Sequence, residues 1–211
     1  AEAADRPLII FLHEGLGSVS MWRDFPQRLC DAVGARGLVY SRPGYGKSTT
    51  HEPGLPPDPR FMHRQAQEVL PALLKALGIT AATRRPWLFG HSDGGTIALL
   101  YAAAHPGEVS GIIVMAPHIM VEDVTVASIA AASAAYRQTD LRERLARHHD
   151  DPDSTFLEWS RVWLHPDFRA WSIDAELHML RCPVLAIQGH DATTDLSFRK
   201  LQIVELPPRG E

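Results

Sequence analysis

The chain has 211 residues, with 21 Lys and Arg against 25 Asp and Glu, and its formal net charge is −4 with neutral histidines. Hydrophobic residues make up 45% and charged residues 22%, a globular mixture that excludes global disorder and collagen-like repeats. The slightly acidic balance contains no basic run, so we expect no nucleic-acid partner and no anionic membrane surface. The length predicts one domain, with room for an insertion.

The cysteines and the first residues indicate a compartment. Cys30 and Cys182 cannot form a disulfide framework. The segment Ala1–Pro7 has acids and no basic n-region, and the longest apolar segments are too short to cross a bilayer. We therefore expect a cytoplasmic protein without a membrane span.

Five short apolar runs, each ending in a turn, have the pattern of strands buried on both faces of a sheet. They are Leu8–Leu12, Gly37–Ser41, Trp87–Phe89, Gly111–Met115 and Val184–Ile187. Helical patterns over about 21–34, 62–77 and 94–104 separate the first four. The alternation predicts an α/β fold, a mainly parallel sheet flanked by helices and joined by right-handed crossovers.

The alternation breaks between His118 and Met179, where the patterns are mainly helical. An insertion after a strand is expected to cover the sheet end where loops carry function. We predict a core of residues 1–117 and 174–211 and a helical cap of residues 118–173. The helices expected in it are Val126–Tyr136, Leu141–His149 and Thr155–Leu164.

The segment Gly90-His91-Ser92-Asp93-Gly94-Gly95 matches G-x-S-x-G between a predicted strand and a predicted helix. Such a turn holds its central residue in a strained conformation, and small neighbours at Gly90 and Gly94 relieve the crowding. The helix N-terminus beneath it favours developing negative charge. The motif predicts that Ser92 is a nucleophile.

A second glycine-rich loop, His13-Glu14-Gly15-Leu16-Gly17-Ser18, follows the first strand. The oxyanion of an acyl-transfer intermediate needs two N–H donors. We assign one donor to the backbone of Asp93 and the other to Gly15 or Leu16. The Asp93 side chain either repels carboxylate substrates or points along the start of the helix, where an acid is favoured.

With these motifs the chain resembles the α/β-hydrolase-fold proteins that carry a helical cap, from the first loop through Arg42–Ser48 to Pro183–Asp191. The resemblance implies a serine nucleophile, Ser92, followed along the chain by an acid and then a histidine. Asp191 is the acid nearest the implied place. No cofactor and no metal are needed.

The sequence departs from the family pattern near its end. The acid place three residues after Gly189 holds Ala192, and no histidine follows the predicted last strand, Leu201–Leu206. About 12 residues, Gly189–Lys200, are few for a parallel crossover. We therefore expect residues to be missing at both ends and after Asp191, with a broken peptide link within 191–197. The alternative is a degenerate protein without a triad histidine.

Aromatic and apolar residues of the cap region are expected to line the substrate pocket. His118 follows the strand Gly111–Met115 and should face that pocket, together with Trp159 and Trp163. Packing of the tryptophans onto the core is the alternative. Other lining candidates are Ile119, Met120 and Tyr136.

These expectations predict a serine hydrolase that acts on an ester or related acyl compound of small to medium size through an acyl-enzyme. Its partner would be a small-molecule substrate. Two other functions use the same fold and stay open at this point: a non-catalytic or slow-turnover ligand-binding protein, and a C–C-bond hydrolase or lyase.

Overall fold

One six-stranded sheet organises the computed structural model, which describes residues 5–51, 54, 56–189 and 201–206, the last stretch for its backbone alone. The strands lie in the spatial order β2-β1-β3-β4-β5-β6, and β1 to β5 are parallel. They are β1 (Leu8–Leu12), β2 (Arg36–Val39), β3 (Trp87–His91), β4 (Gly111–Met115), β5 (Val184–Gly189) and β6 (Leu201–Leu206). The predicted α/β class is thereby confirmed.

The register of the sheet brings three strand ends together. Leu12 at the end of β1 pairs with Gly90, and His91 at the end of β3 pairs with Met115. The loops that leave these strands therefore start side by side. In parallel sheets this carboxyl edge is where ligands bind.

The last strand corrects one expectation. β6 pairs with β5 in antiparallel register, so no parallel crossover joins them. An antiparallel neighbour can be reached through a short connection, and the residues between Gly189 and Leu201 are enough for one. The short connection therefore gives no reason to expect missing residues there. Asp191 and the predicted chain break lie outside the described residues.

Helices pack on both faces of the sheet. The segments are α1 (Phe25–Val33), α2 (Phe61–Arg64), a π-helical turn (Gln65–Val69), α3 (Leu70–Ala76), α4 (Asp93–Ala104), α5 (Asp123–Gln138), α6 (Leu141–Ala146), α7 (Pro152–Trp163), α8 (Asp174–Leu177) and two 3₁₀ turns (Val19–Trp22 and Pro166–Ala170). Helix α4 is apolar on every side, and each residue from Asp93 to Ala103 is buried. Such a helix is stable only inside a core, and α4 packs against the strands β1, β3 and β4 and against the helices α2 and α8.

Residues 118–173, called here the helical segment, contain α5, α6 and α7 and no strand of the sheet. The two ends of the segment are tied together, because Val121 N–H donates to the Trp171 carbonyl (3.2 Å) and Ile173 N–H donates to the Ile119 carbonyl (2.8 Å). The two ends of the segment therefore lie side by side. The division into core and cap stays a prediction.

No helix within the described residues 5–51 and 56–189 is both long and apolar enough to cross a bilayer.

Candidate active site

Ser92 occupies the sharp turn between β3 and α4. Its backbone has φ 52° and ψ −121°, a conformation that a residue with a side chain adopts only when its surroundings impose it. The Ser92 N–H donates to the Met115 carbonyl (2.8 Å), and the Ser92 carbonyl accepts from the N–H groups of Gly95 (2.8 Å) and Thr96 (3.1 Å). These bonds hold the turn and leave the hydroxyl at the carboxyl edge of the sheet.

Two glycines make this turn possible, because neither of their positions has room for a side chain. A Cβ atom on Gly90 would lie 2.3 Å from the Gly94 carbonyl oxygen, and one on Gly94 would lie 2.0 Å from the Leu12 carbonyl oxygen. Both distances are far below van der Waals contact. The turn, called here the elbow (Gly90–Gly95), therefore presses directly on the end of β1, where the first loop (His13–Ser18) begins.

His118 hydrogen bonds the hydroxyl of Ser92. The distance from its Nε2 to the Ser92 Oγ is 3.2 Å. Thr96 fixes the backbone of His118 from both sides, because its hydroxyl accepts from the His118 N–H (3.0 Å) and donates to the His118 carbonyl (2.7 Å). The ring packs edge-on against Trp163, with 4.7 Å between ring centres.

The carboxylate of Asp93 lies buried beside this pair. Only 1% of the residue is exposed, and its Oδ2 has no hydrogen-bond partner among the described residues. Burial raises the pKa of Asp93, while Arg42, His118 and the indole N–H of Trp163 favour its ionised form. The side chain is thus buried among Arg42, His118 and Trp163.

The first loop is held by a buried arginine. The guanidinium of Arg42, which is 1% exposed, donates to the carbonyls of His13 and Glu14. The Arg42 N–H donates to Nε2 of His13 (3.0 Å), so the other ring nitrogen carries the proton and donates to the Glu14 carbonyl (2.8 Å). Burial and the Arg42 charge hold the pKa of His13 well below its usual range. The loop is thereby fixed with a neutral histidine.

A contact between Glu14 and His91 joins the first loop to the elbow. The Glu14 carboxylate lies 3.6 Å from Nδ1 of His91, the residue before Ser92. Burial acts to raise the pKa of Glu14, but the contact with His91 and the Arg42 charge lower it overall. The two sequence motifs therefore meet in space.

His149 of the helical segment also holds the first loop. Its Nε2 donates to the Leu16 carbonyl (2.9 Å), and its Nδ1 accepts from the Gly46 N–H (2.9 Å). The bond that Nδ1 accepts requires the neutral ring, and burial lowers the pKa of His149 in agreement. Trp159 lies over Gly15 from the same segment, with its Nε1 2.2 Å from where a Cβ of Gly15 would be.

A cavity of about 480 Å³ is bordered by Trp159. Its other lining residues come from α7 and from the region that leads into α2. Its walls combine apolar and charged groups, including Tyr45, His51, Asp58, Phe61, Arg64 and Glu158. Trp159 thus contacts both this cavity and Gly15 of the first loop.

The structure brings most of the predicted site residues together. Ser92, Asp93, Gly15, Leu16, His118, Trp159 and Trp163 all lie in or against the elbow and the first loop. Asp191 lies outside the described residues. Within those residues, no group of three or more His, Cys, Asp or Glu side chains has the arrangement of a metal site.

Sequence reasoning missed two residues, Arg42 and His149, which hold the first loop from distant parts of the chain. It named His118 as a pocket residue but did not predict the bond of His118 to Ser92. The available signal was its place: His118 comes three residues after Met115, which pairs with His91 of the elbow.

Comparison with solved structures gives matches over most of the chain. A carboxylesterase of the thaumarchaeon Nitrososphaera gargenis is 20% identical with a TM-score of 0.65, covering 89% of this chain and 74% of its own. NosK from Streptomyces actuosus is 19% identical with a TM-score of 0.67, and the match covers 90% of this chain and 79% of NosK. A thermophilic esterase from Thermogutta terrifontis is 20% identical with a TM-score of 0.60, and the match covers 87% of this chain and 71% of the esterase. At such low sequence identities, these structural matches show a shared fold.

A search of curated protein sequences finds no match to the chain. A family model gives a direct assignment, because the model of the alpha/beta hydrolase fold matches residues 7–201. That range includes the first loop, the elbow and the helical segment. The chain therefore belongs to the α/β-hydrolase fold family.

Proposed function

We propose that the protein is a serine hydrolase that cleaves an ester or a related acyl compound of small to medium size through an acyl-enzyme on Ser92. The observation that carries the proposal is the strained Ser92 at the start of α4, hydrogen bonded to a histidine ring. Strain of this kind persists only where the surrounding structure imposes it, and it concentrates at functional sites. The esterases among the structural neighbours support the reaction class.

The oxyanion would form between the elbow and the first loop. Asp93 is the first residue of α4, so its N–H has no acceptor within the helix. The second donor would be the N–H of Gly15 or Leu16, in the loop that Arg42 and His149 hold. Each such donor is worth roughly 3 kcal/mol in comparable sites.

The substrate would lie between the core and the helical segment, which we propose to be the cap. Trp163 packs on His118, and Trp159 lies over Gly15, so aromatic surface borders the reacting atoms. This setting favours a small-molecule acyl group with apolar character over a long polar chain. From the family resemblance, Asp191 remains the candidate triad acid.

Turnover of a short-chain aryl ester, p-nitrophenyl butyrate, tests the proposal together with labelling by a fluorophosphonate. The parent protein should hydrolyse the ester and carry the label on Ser92. Ser92→Ala should lose both, while Ser128→Ala, on exposed α5, should keep both. A folded protein that carries no label and shows no turnover would instead be a ligand-binding member of the fold.

A further inference from the structure

The cavity of about 480 Å³ beside Trp159 has a size that suits a small ligand. It meets the candidate active site at Trp159, which also lies over Gly15 in the loop of the proposed second oxyanion donor. Pro57 and Pro59 are part of its wall, and the fixed φ of proline stiffens that stretch. The cavity is therefore placed to receive a part of a substrate whose carbonyl lies at Ser92.

Aromatic rings form part of the cavity wall. Phe61 of α2 and Trp159 of α7 are half-buried, so part of each ring stays accessible. Tyr45 is buried, and its ring already faces a cation, since the guanidinium carbon of Arg42 lies 4.8 Å from the ring centre. Aromatic faces attract cations within about 6 Å of the ring centre. The wall thus offers the kind of surface on which a ligand cation is stabilised.

The charged groups of the wall leave one carboxylate in excess among the described residues. Asp58 and Arg64 compensate each other, with 3.2 Å between Oδ2 and Nη2. Glu158 pairs with Arg161 (3.2 Å), but Arg161 is not among the described residues that line the cavity. The Arg161 side chain is 47% exposed against 21% for Glu158, and solvent screens an exposed charge. On the cavity side, the charge of Glu158 therefore remains uncompensated.

The effect of Glu158 extends to two other residues of the wall. Burial lowers the pKa of His51, so the ring is uncharged at pH 7, and Glu158 is the main group that opposes this shift. Burial raises the pKa of Tyr45 to about 12, and the charge of Glu158 adds to the increase. The carboxylate of α7 thus acts on residues that the chain contributes after β2, and His51 adds no positive charge to the cavity.

We propose that this cavity binds a small ammonium group carried by the alcohol part of the substrate, with Glu158 as its counter-charge, an inference that rests on the proposed function. The nitrogen would lie beside the Glu158 carboxylate, and its carbon substituents would pack on Phe61 and Trp159. The alcohol part carries the charge because the proposed acyl group is apolar. The contact of Trp159 with both Gly15 and the cavity connects this group to the carbonyl at Ser92.

Three probes of similar size and different charge test the proposal: benzylamine, a cation at pH 7; benzyl alcohol, which is uncharged; and benzoate, an anion. Their dissociation constants are measured by calorimetry on the Ser92→Ala protein. Benzylamine should bind about 10-fold more tightly than benzyl alcohol, and benzoate should bind most weakly. Adding Glu158→Gln should reduce the preference for benzylamine to about twofold or less, whereas Glu143→Gln, exposed on α6, should keep it.

Competition in the active parent protein connects the site to the substrate. Benzylamine should raise the KM for p-nitrophenyl butyrate without lowering kcat. Binding without competition, equal affinities for benzylamine and benzyl alcohol, tighter binding of benzoate, or a preference that survives Glu158→Gln would each overturn the proposal. The binding measurements need no ester turnover, so a protein that prefers benzylamine but hydrolyses no ester would contradict the proposed function and not the charge preference of the cavity.

Discussion

The elbow and the attachment of the first loop stand side by side, yet they are built differently. The elbow depends on contacts among Gly90, Ser92 and Gly94 and on the end of β1. The first loop is held by Arg42, 28 and 29 positions away, and by His149, 133 positions from Leu16. One structure is made by steric exclusion between neighbours, the other by hydrogen bonds across the chain.

This difference predicts different responses to mutation. Steric exclusion by backbone atoms leaves nowhere for an added group to move, so a single methyl has a large effect. Hydrogen bonds are lost one at a time and depend on protonation, so damage to the loop attachment should be graded and should depend on pH.

The largest effect is expected for Gly94→Ala, because its Cβ would lie 2.0 Å from the Leu12 carbonyl oxygen. We predict a loss of about 3 kcal/mol or more in the free energy of unfolding. Gly95→Ala is the matched control, since its nearest contacts are 3.2 Å away. Urea unfolding measures both, and equal losses would contradict the steric account of the elbow.

Arg42→Lys should have the next largest effect. The lysine keeps the charge but cannot bond two carbonyls with one planar fork, so we predict a loss of about 2 kcal/mol in unfolding free energy. Activity should fall as well, because the first loop loses its shape. Arg28→Lys, whose side chain is 79% exposed, is the control and should change stability very little. Indistinguishable stabilities for the two variants would mean that Arg42 does not hold the loop.

A smaller effect is expected for His149→Gln. The variant disturbs the bonds to the Leu16 carbonyl and the Gly46 N–H, with a predicted loss of about 1 kcal/mol. Because the loop holds a proposed oxyanion donor, kcat should fall more than KM changes. His148→Gln is the adjacent control, since its ring bonds the exposed Ser20 hydroxyl and not the first-loop carbonyl that His149 holds. Steady-state kinetics of both variants decide whether the attachment matters for catalysis.

The smallest effect concerns pH. The pKa values of His13 and His149 are lowered in the folded protein, so the unfolded chain binds more protons below about pH 6.5. Stability from these groups should be complete above that pH and decline as the pH falls through it. Melting temperatures at a series of pH values test the sign, and a shallower decline is expected in His149→Gln.

The sequence predicted those features that depend on residues close together along the chain. The G-x-S-x-G spacing located the elbow, and five apolar runs located the parallel strands, because burial on both faces leaves a readable pattern. The expectation that β6 follows a parallel crossover was wrong, since the residue pattern of one strand does not encode its direction relative to its neighbour. The predicted cap boundaries and Asp191 remain predictions.

The rest of the site depends on register and long-range bonds. His149 bonds the Leu16 carbonyl, 133 positions away, and no residue near either of them in the sequence indicates this contact. The role of Arg42 likewise appears only when β1 and β2 are paired. Such contacts cannot be deduced from local spacing.

Trapping the acyl-enzyme tests the central claim most directly. The protein is mixed with an excess of p-nitrophenyl acetate, quenched in acid within a turnover, and analysed by intact mass and peptide mapping. We predict a mass increase of one acetyl group, located on Ser92, in the parent and none in Ser92→Ala. Ester turnover by the parent with no acetyl on Ser92, or with the acetyl on another residue, would contradict the account.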